Sequence, residues 1–122
     1  MTETFGKMLR NLRQAAGVGL RELGRLIDKS PGYLSDVELD NVPPPSEEVI
    51  VRIAAALQVD KKDLLTAARK MDPELSSYIV QEPGAADFLR LAKAKEFGRE
   101  DWERLAQLTD FVRLGKLPKD RS

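Results

Sequence analysis

The sequence predicts an all-α protein in which five short helices are followed by a section of three more. Apolar residues recur at the spacing of about 3.6 that places them on one helix face, and no segment alternates apolar and polar residues as a half-buried strand does. A capping residue followed by proline marks two helix starts, Ser30-Pro31 and Asp72-Pro73. The length of 122 residues suits one domain with a small appendage.

The first two helices are predicted from their apolar stripes. In the first helix, the stripe at i, i+3, i+4 and i+7 consists of Phe5, Met8, Leu9 and Leu12. Gly17 and Gly19 follow and end this helix. The second helix is only about two turns long. Its inward residues are predicted to be Leu20, Leu23, Leu26 and Ile27.

Three further helices complete the first section. Ser30 is predicted to cap the third helix, which has Pro31 at its first position and runs to about Leu39. The prolines at 43–45 form a stiff connector, because a residue before proline avoids helical dihedrals. Ser46 caps the fourth helix and Asp60 the fifth. The fifth helix is predicted to carry Leu64, Leu65, Ala68 and Met71.

Asp72-Pro73 opens the second section, and the predicted boundaries follow from it. Residues 1–71 form the first domain, residues 72–115 a helical section, and residues 116–122 a flexible tail. The last and longest helix is predicted from about Arg99 to Leu114, with Gly115 just beyond its end.

Composition excludes several function classes. The chain has no Cys and no His, so it lacks a thiolate nucleophile, an imidazole base and the usual ligands of a zinc or haem site. We therefore predict no enzymatic activity, no cofactor and no metal. No apolar run approaches the roughly 18 residues that span a bilayer, and no secretory signal opens the chain, which predicts a cytoplasmic protein without a membrane partner.

The second and third helices form the informative pair, because they are short and joined by a three-residue turn. This arrangement fits a helix-turn-helix, in which the first helix braces the second and the second lies in a DNA major groove about 12 Å wide. The predicted function is therefore binding of double-stranded DNA.

Several motifs in the same order resemble the phage-repressor-like (Cro/C1, xenobiotic-response-element type) helix-turn-helix family. These are residues 20–26, Tyr-Leu-Ser at 33–35, Glu38, Pro-Pro-Ser at 44–46 and residues 53–57. The resemblance covers about residues 5–70 and implies a five-helix bundle. It also implies a sequence-specific transcriptional regulator, a repressor that acts as a homodimer on a palindromic operator.

The resemblance assigns DNA contacts to the start and outer face of the third helix, whereas Leu34 and Val37 would pack inward. The candidate DNA-contact residues are Arg21, Lys29, Ser30, Gly32, Tyr33, Asp36 and Asn41. A further cationic rim is predicted from Lys7, Arg10, Arg13, Arg21 and Lys29.

The sequence departs from the family pattern near this helix. Leu20 stands where the family commonly has a glutamine that donates to phosphate. Residues 28–48 hold one lysine and six carboxylates, a balance that opposes binding to a polyanion. We expect Glu38 to be tied to a neighbouring arginine such as Arg25. Glu47 and Glu48 should lie at a helix start, where negative charge is favourable.

The second section is predicted to form a homodimer, because the apolar stripe of its last helix is wider than a two-turn contact needs. The candidate interface residues are Phe88, Leu91, Trp102, Leu105, Leu108 and Phe111. The alternative function is a protein-interaction module with a repressor-like fold and weak or no DNA binding, whose partner is a toxin, a peptidase or a different repressor. The resemblance also allows a metallopeptidase or toxin as a regulatory partner of the DNA-binding form.

Overall fold

The computed structural model describes residues 3–115, and this part of the chain is all-helical, which confirms the predicted fold class. Its helices are α1 (Phe5–Ala15), α2 (Leu20–Ile27), α3 (Pro31–Glu38), α4 (Glu47–Leu57), α5 (Lys61–Ala67), α6 (Pro73–Gln81), α7 (Pro83–Ala94), α8 (Arg99–Gln107) and α9 (Thr109–Leu114). Within residues 3–115, no helix is both long and apolar enough to cross a membrane.

The chain divides into two compact units, the first ending at Tyr78 and the second beginning at Ile79. The functional boundary after residue 71 stays a prediction. The predicted flexible tail, residues 116–122, lies outside the described residues.

The predicted caps of the first unit are confirmed. The Ser30 hydroxyl accepts a hydrogen bond from the Tyr33 N–H at 3.1 Å, and the Ser46 hydroxyl accepts one from the Val49 N–H at 3.4 Å. The Asp60 carboxylate accepts one from the backbone N–H two residues on, at 2.9 Å. These bonds satisfy N–H groups that have no partner inside the helix, and they fix where α3, α4 and α5 begin.

The first unit holds one core, in which α1 packs on α3 and α5, α2 packs on α3 and α4, and α4 packs on α5. Its fully buried large side chains are Leu9, Leu23, Ile27, Leu34, Val37, Ile50, Ile53 and Leu64. Each contributes roughly 1.5–3 kcal/mol by leaving water. The predicted inward positions of Leu34 and Val37 on α3 are thereby confirmed.

Two apolar residues of the first unit lie elsewhere than predicted. Leu26 was expected to face inward, but its side chain is 48% exposed, because Leu23 and Ile27 already fill the face of α2 toward α4. Met71 was expected on the fifth helix, but α5 ends at Ala67 and Met71 is 47% exposed. Arg69 adopts a left-handed backbone conformation, with φ of 58°, and this turns the chain away from the helix axis before Met71.

Three aromatic rings form a cluster in the second unit. Phe88, Phe97 and Trp102 meet edge to face, with centroid distances of 6.1, 6.3 and 5.1 Å for the three pairs. Such pairs contribute about 0.5–1.5 kcal/mol each beyond the area they bury. Among the described residues of this unit, only Ala92 is fully buried.

The predicted last helix is interrupted at Leu108, where the chain passes from α8 to α9. The Leu108 N–H bonds to the carbonyl three residues back, that of Leu105, at 2.9 Å. The Thr109 hydroxyl donates to the carbonyl oxygen of Ala106 at 2.9 Å. Threonine hydroxyls that bond back to the preceding turn bend helices, which explains the interruption. Gly115 ends α9 in a left-handed conformation, with φ of 70°, as predicted.

Candidate nucleic-acid interface

The turn between α2 and α3 is built on one close approach. Asp28 ends α2 in a left-handed conformation, and the Lys29 N–H donates to the carbonyl oxygen of Gly24 at 2.8 Å. A Cβ atom at Gly24 would lie 2.3 Å from the Lys29 carbonyl oxygen, a distance that side chains do not tolerate. Gly24 therefore lets α2 and the turn meet, and this contact sets the direction in which α3 departs.

α3 has the dimensions of a recognition helix. Its eight residues make it about 12 Å long, close to the width of a major groove. Leu34 and Val37 anchor one face in the core. Gly32 and Asp36 are exposed, and Tyr33 is partly buried where its ring packs against the core.

Lys29 and Tyr33 form one feature at the start of α3. The Lys29 Nζ lies 5.9 Å from the centroid of the Tyr33 ring, within the range of a cation–π interaction. Exposed sites of this kind are worth about 0.5–1 kcal/mol. The ring therefore favours a position of the ammonium group close to the end of α3 that would enter a groove.

Asp36 and Asn41 meet at the other end of α3. The Asn41 backbone N–H donates to the Asp36 carbonyl oxygen at 2.9 Å, and the Asn41 side-chain amide lies 3.5 Å from the Asp36 carboxylate.

Ser30 and Arg21 are both exposed, and Arg21 lies in the first turn of α2. All seven candidate residues thus lie within α2, the turn, α3 and the segment that follows.

The buried acid of α3 has a different partner from the one expected. Glu38 bonds to Arg13, with Oε2 2.6 Å from Nε and Oε1 2.9 Å from Nη2, so the pair is bidentate. Arg25 was the expected partner, but it is exposed on α2, whereas Arg13 projects from α1, which packs on α3. The hydrogen bond to Glu38 raises the pKa of the Arg13 guanidinium above its usual value.

Arg13 is consequently not part of a cationic rim. Its side chain is only 11% exposed, and it also donates to the Val18 carbonyl oxygen at 3.0 Å. Its charge therefore neutralises Glu38 inside the domain, which corrects the sequence-based assignment.

Asp40 has a role that sequence reasoning missed. Its carboxylate accepts from the Thr4 hydroxyl at 2.8 Å and from the Gly6 N–H at 3.2 Å, so it lies at the positive end of the α1 dipole. Its partners Thr4 and Gly6 lie more than 30 positions earlier in the chain, and neither residue type in a sequence indicates a contact with so distant a carboxylate.

Two of the six carboxylates between residues 28 and 48 have partners on other elements of the fold, and two more lie at a helix start. Glu38 pairs with Arg13, Asp40 caps α1, and Glu47 and Glu48 lie in the first turn of α4, as expected. Asp28 and Asp36 have neither feature and are exposed. Only the charge of Glu38 is neutralised, by Arg13, so the fold presents one negative charge fewer around α3 than the sequence suggests.

Two cations lie beside the carboxyl end of α3. A groove of about 500 Å³ runs between α1 and the end of α3, and its lining includes Lys7, Arg10 and Leu39. Lys7 and Arg10 are exposed, and no carboxylate among residues 3–115 pairs with either of them. Their charges are free to meet an anion.

The candidate dimer residues occupy the second unit and are largely exposed. Phe88 and Trp102 belong to the aromatic cluster, and Leu105 is partly buried. Leu91, Leu108 and Phe111 are 49%, 39% and 40% exposed.

Within residues 3–115 no group of acidic side chains is arranged to hold a metal ion.

Comparisons with known proteins give one family and several solved structures. A family model described as a helix-turn-helix domain matches residues 4–67. No curated protein shows a significant match. The chain is similar to the clp gene regulator ClgR from Corynebacterium glutamicum in two structures. One is 37% identical, covering 53% of this chain and 83% of that chain with a TM-score of 0.47. The other is 28% identical, covering 75% and 88% with a TM-score of 0.48.

The SinR protein/SinI protein complex is also similar, at 18% identity and a TM-score of 0.48, covering 91% of this chain and 99% of that chain. The family model covers more than half of the chain, so the chain belongs to the helix-turn-helix domain family, as its motifs predicted.

Proposed function

We propose that the chain is a transcriptional repressor that binds a palindromic operator as a homodimer through α2, the turn and α3. Membership in the helix-turn-helix family supports a DNA-binding transcriptional regulator. The observation that carries the proposal is the state of α3: its apolar face is anchored in the core, its opposite face is exposed, and its buried acid is neutralised by Arg13.

Each half-site would be held by cations at both ends of α3. With α3 in the major groove, Lys29 would meet phosphates at its amino end, and Lys7 and Arg10 would meet phosphates beyond its carboxyl end. At the start of α3 the N–H groups of Tyr33 and Leu34 are bonded to Ser30, and the Gly32 N–H would add a phosphate contact that needs no positive side chain. Asp36 can accept a hydrogen bond from the amino group of cytosine in the groove.

A homodimer supplies the affinity that one half-site lacks. Few cations surround α3, and each phosphate contact contributes a modest, salt-dependent share of binding. A two-fold dimer would place two copies of α3 in successive major grooves, about 34 Å apart, and the occupied operator would exclude RNA polymerase. The exposed apolar residues of the second unit support association of two copies.

Fluorescence anisotropy with the DNA upstream of the protein's own coding sequence, at several salt concentrations, tests this proposal. We expect binding that weakens steeply with salt. The double variant Lys29→Ala/Tyr33→Ala should bind roughly tenfold or more weakly and lower the salt slope by about one, because one phosphate contact is lost.

The matched control is Lys70→Ala/Tyr78→Ala, which removes the same two residue types from outside α2 and α3. It should bind DNA as the wild type does. Failure of the wild type to bind DNA at low salt would reject the function, and equal binding by both double variants would reject this placement of the reading helix.

The alternative, a protein-interaction module without DNA binding, drew its support from the acidic surroundings of the third helix. Pairing of Glu38 with Arg13 removes one of those charges, and bonds from Thr4 and Gly6 hold the Asp40 carboxylate at the start of α1, which weakens that support.

A further inference from the structure

A second surface of the first unit combines an apolar floor with free positive charge. It is a groove of about 580 Å³ between α5 and the start of α6. Leu65 joins its floor to the core, and Met71 and Leu75 line it while remaining 47% and 51% exposed. None of these residues belongs to α2, α3 or the turn between them.

The carboxylates that line this groove have partners within the fold, whereas three of its cations pair with no carboxylate among the described residues. Asp60 accepts from the Lys62 N–H as the cap of α5. Asp72 lies 2.8 Å from the Lys61 Nζ, and this contact lowers the pKa of the Asp72 carboxyl. Lys62, Arg69 and Lys70 also line the groove, and no carboxylate within residues 3–115 pairs with them.

Contacts at both ends of α5 hold the walls of the groove together. Lys61 bonds to both Asp72 and Glu74, at 2.8 and 3.0 Å, and so ties the start of α6 to the start of α5. At the other end of α5, the Lys70 N–H donates to the Leu65 carbonyl oxygen at 2.9 Å and fixes the turn. A preformed site avoids the entropic cost of ordering its own walls on binding.

The apolar strip is longer than a small molecule requires. Leu75 and Tyr78 lie at i and i+3 on α6 and are 51% and 60% exposed, and Met71 lies just before this helix. Residues at this spacing share one helix face, which the apolar face of another helix can cover. A nucleic acid would use the cations but would leave the apolar floor against a polar backbone.

We propose that the groove between α5 and α6 binds an acidic amphipathic helix of a protein partner. Apolar side chains of that helix would lie on Leu65, Met71 and Leu75, and its carboxylates would pair with Lys62, Arg69 and Lys70. The surface is separate from the proposed DNA-reading helix, so one chain can bind DNA and this partner through different residues.

The test uses the full chain and a labelled synthetic peptide of about 16 residues, long enough to form a helix. The peptide carries leucine at i, i+3, i+4 and i+7, three glutamates flanking this stripe, and alanine at its other positions so that like charges do not unfold the helix. A second peptide carries lysine in place of glutamate. We expect the acidic peptide to bind at least tenfold more tightly than the basic one. Absence of binding, or equal binding of the two peptides, would overturn the proposal.

Two double variants locate the site. Lys62→Glu/Lys70→Glu should weaken binding of the acidic peptide roughly tenfold, because two attractive rim charges become repulsive. Lys7→Glu/Arg10→Glu makes the same change on α1 and should leave peptide binding unaltered. Equal loss in both variants would show attraction to overall charge and would reject the groove.

Two further outcomes would assign the groove to another occupant and so overturn the proposal. In the first, duplex DNA of arbitrary sequence displaces the acidic peptide from the wild-type protein, and it does so equally well from Lys7→Glu/Arg10→Glu. The other is loss of self-association in Lys62→Glu/Lys70→Glu by light scattering, which would identify a second copy of this chain as the occupant.

Discussion

Arg13 and Glu38 connect α1 to the end of α3. Their side chains are 11% and 5% exposed, and two hydrogen bonds join them. Burying two charges is costly, and the cost is offset only while both are present and well aligned. The pair therefore acts as a positional constraint on α3 more than as a source of net stability.

Replacement of Glu38 by alanine should lower the free energy of unfolding by about 3 kcal/mol, because the Arg13 guanidinium would remain buried without its partner. Urea denaturation measures this change. Asp36→Ala, on the exposed face of the same helix, should change stability by less than about 0.5 kcal/mol.

A second variant separates the ion pair from simple packing. Arg13→Met/Glu38→Leu removes both charges and should recover most of the stability lost in Glu38→Ala. If the double variant is as unstable as the single one, side-chain packing rather than an orphaned charge is responsible.

The carboxylates around α3 show where prediction from sequence ends. The positions of Glu47 and Glu48 followed from the local rule that serine caps a helix and acids follow it. The partners of Glu38 and Asp40 lie on α1, which approaches the end of α3 only in the folded chain. Charge counted along a sequence therefore overestimates the charge that a surface presents.

Helix α2 and the turn after it depend on a glycine that has no unusual dihedral angles. Gly24 lies inside α2, where glycine is ordinarily less favourable than alanine. Glycine is needed here because the Lys29 carbonyl oxygen occupies the space that a Cβ atom would need.

Gly24→Ala should therefore destabilise the domain by about 1–3 kcal/mol, as overpacking in a tight site does. Gly32→Ala is the matched control on α3, because nothing lies within 4 Å of the Cβ it would add. That variant should gain roughly 0.5–1 kcal/mol from the better helix propensity of alanine.

Thermal denaturation of the two variants provides the comparison. A stabilised Gly24→Ala would mean that the turn can move away from α2 without cost, and the close approach would then not determine the direction of α3.

The helices themselves were predicted well where local chemistry decides them. The caps at Ser30, Ser46 and Asp60 lie where the sequence placed them. The break at Leu108 was not predicted, because it depends on a threonine hydroxyl bonding to a carbonyl in the preceding turn, and threonine is compatible with an uninterrupted helix.

The molecule as a whole has one unit with a core and one almost without. Five helices of the first unit enclose thirteen buried apolar residues, whereas the described part of the second unit buries only Ala92. Small helical units rarely bury enough apolar surface to be stable alone. The exposed Leu91, Leu108 and Phe111 are consistent with completion of the second unit by association.

Leu91→Glu/Phe111→Glu in the full chain should convert the proposed dimer into a monomer. The dissociation constant of the dimer should rise roughly a hundredfold or more, because each change places a charge in an apolar interface in both copies. Light scattering at several protein concentrations measures the mass.

Leu26→Glu/Leu39→Glu is the control, since these leucines are 48% and 57% exposed and lie in the first unit. It should retain the wild-type mass. A monomeric wild type would reject the dimer, and dissociation in the control alone would place the interface outside the predicted residues.

The described part of the second unit buries almost no side chains, and this has a consequence for how the protein would respond to its own concentration. If burial of its leucines and aromatic rings requires a second chain, ordering of this unit and pairing of two chains become a single mass-action equilibrium. Well below the dissociation constant, the amount of paired protein would rise with the square of chain concentration. If DNA is bound only by the proposed dimer, halving the chain concentration would lower the DNA-binding form about fourfold, without any small-molecule signal.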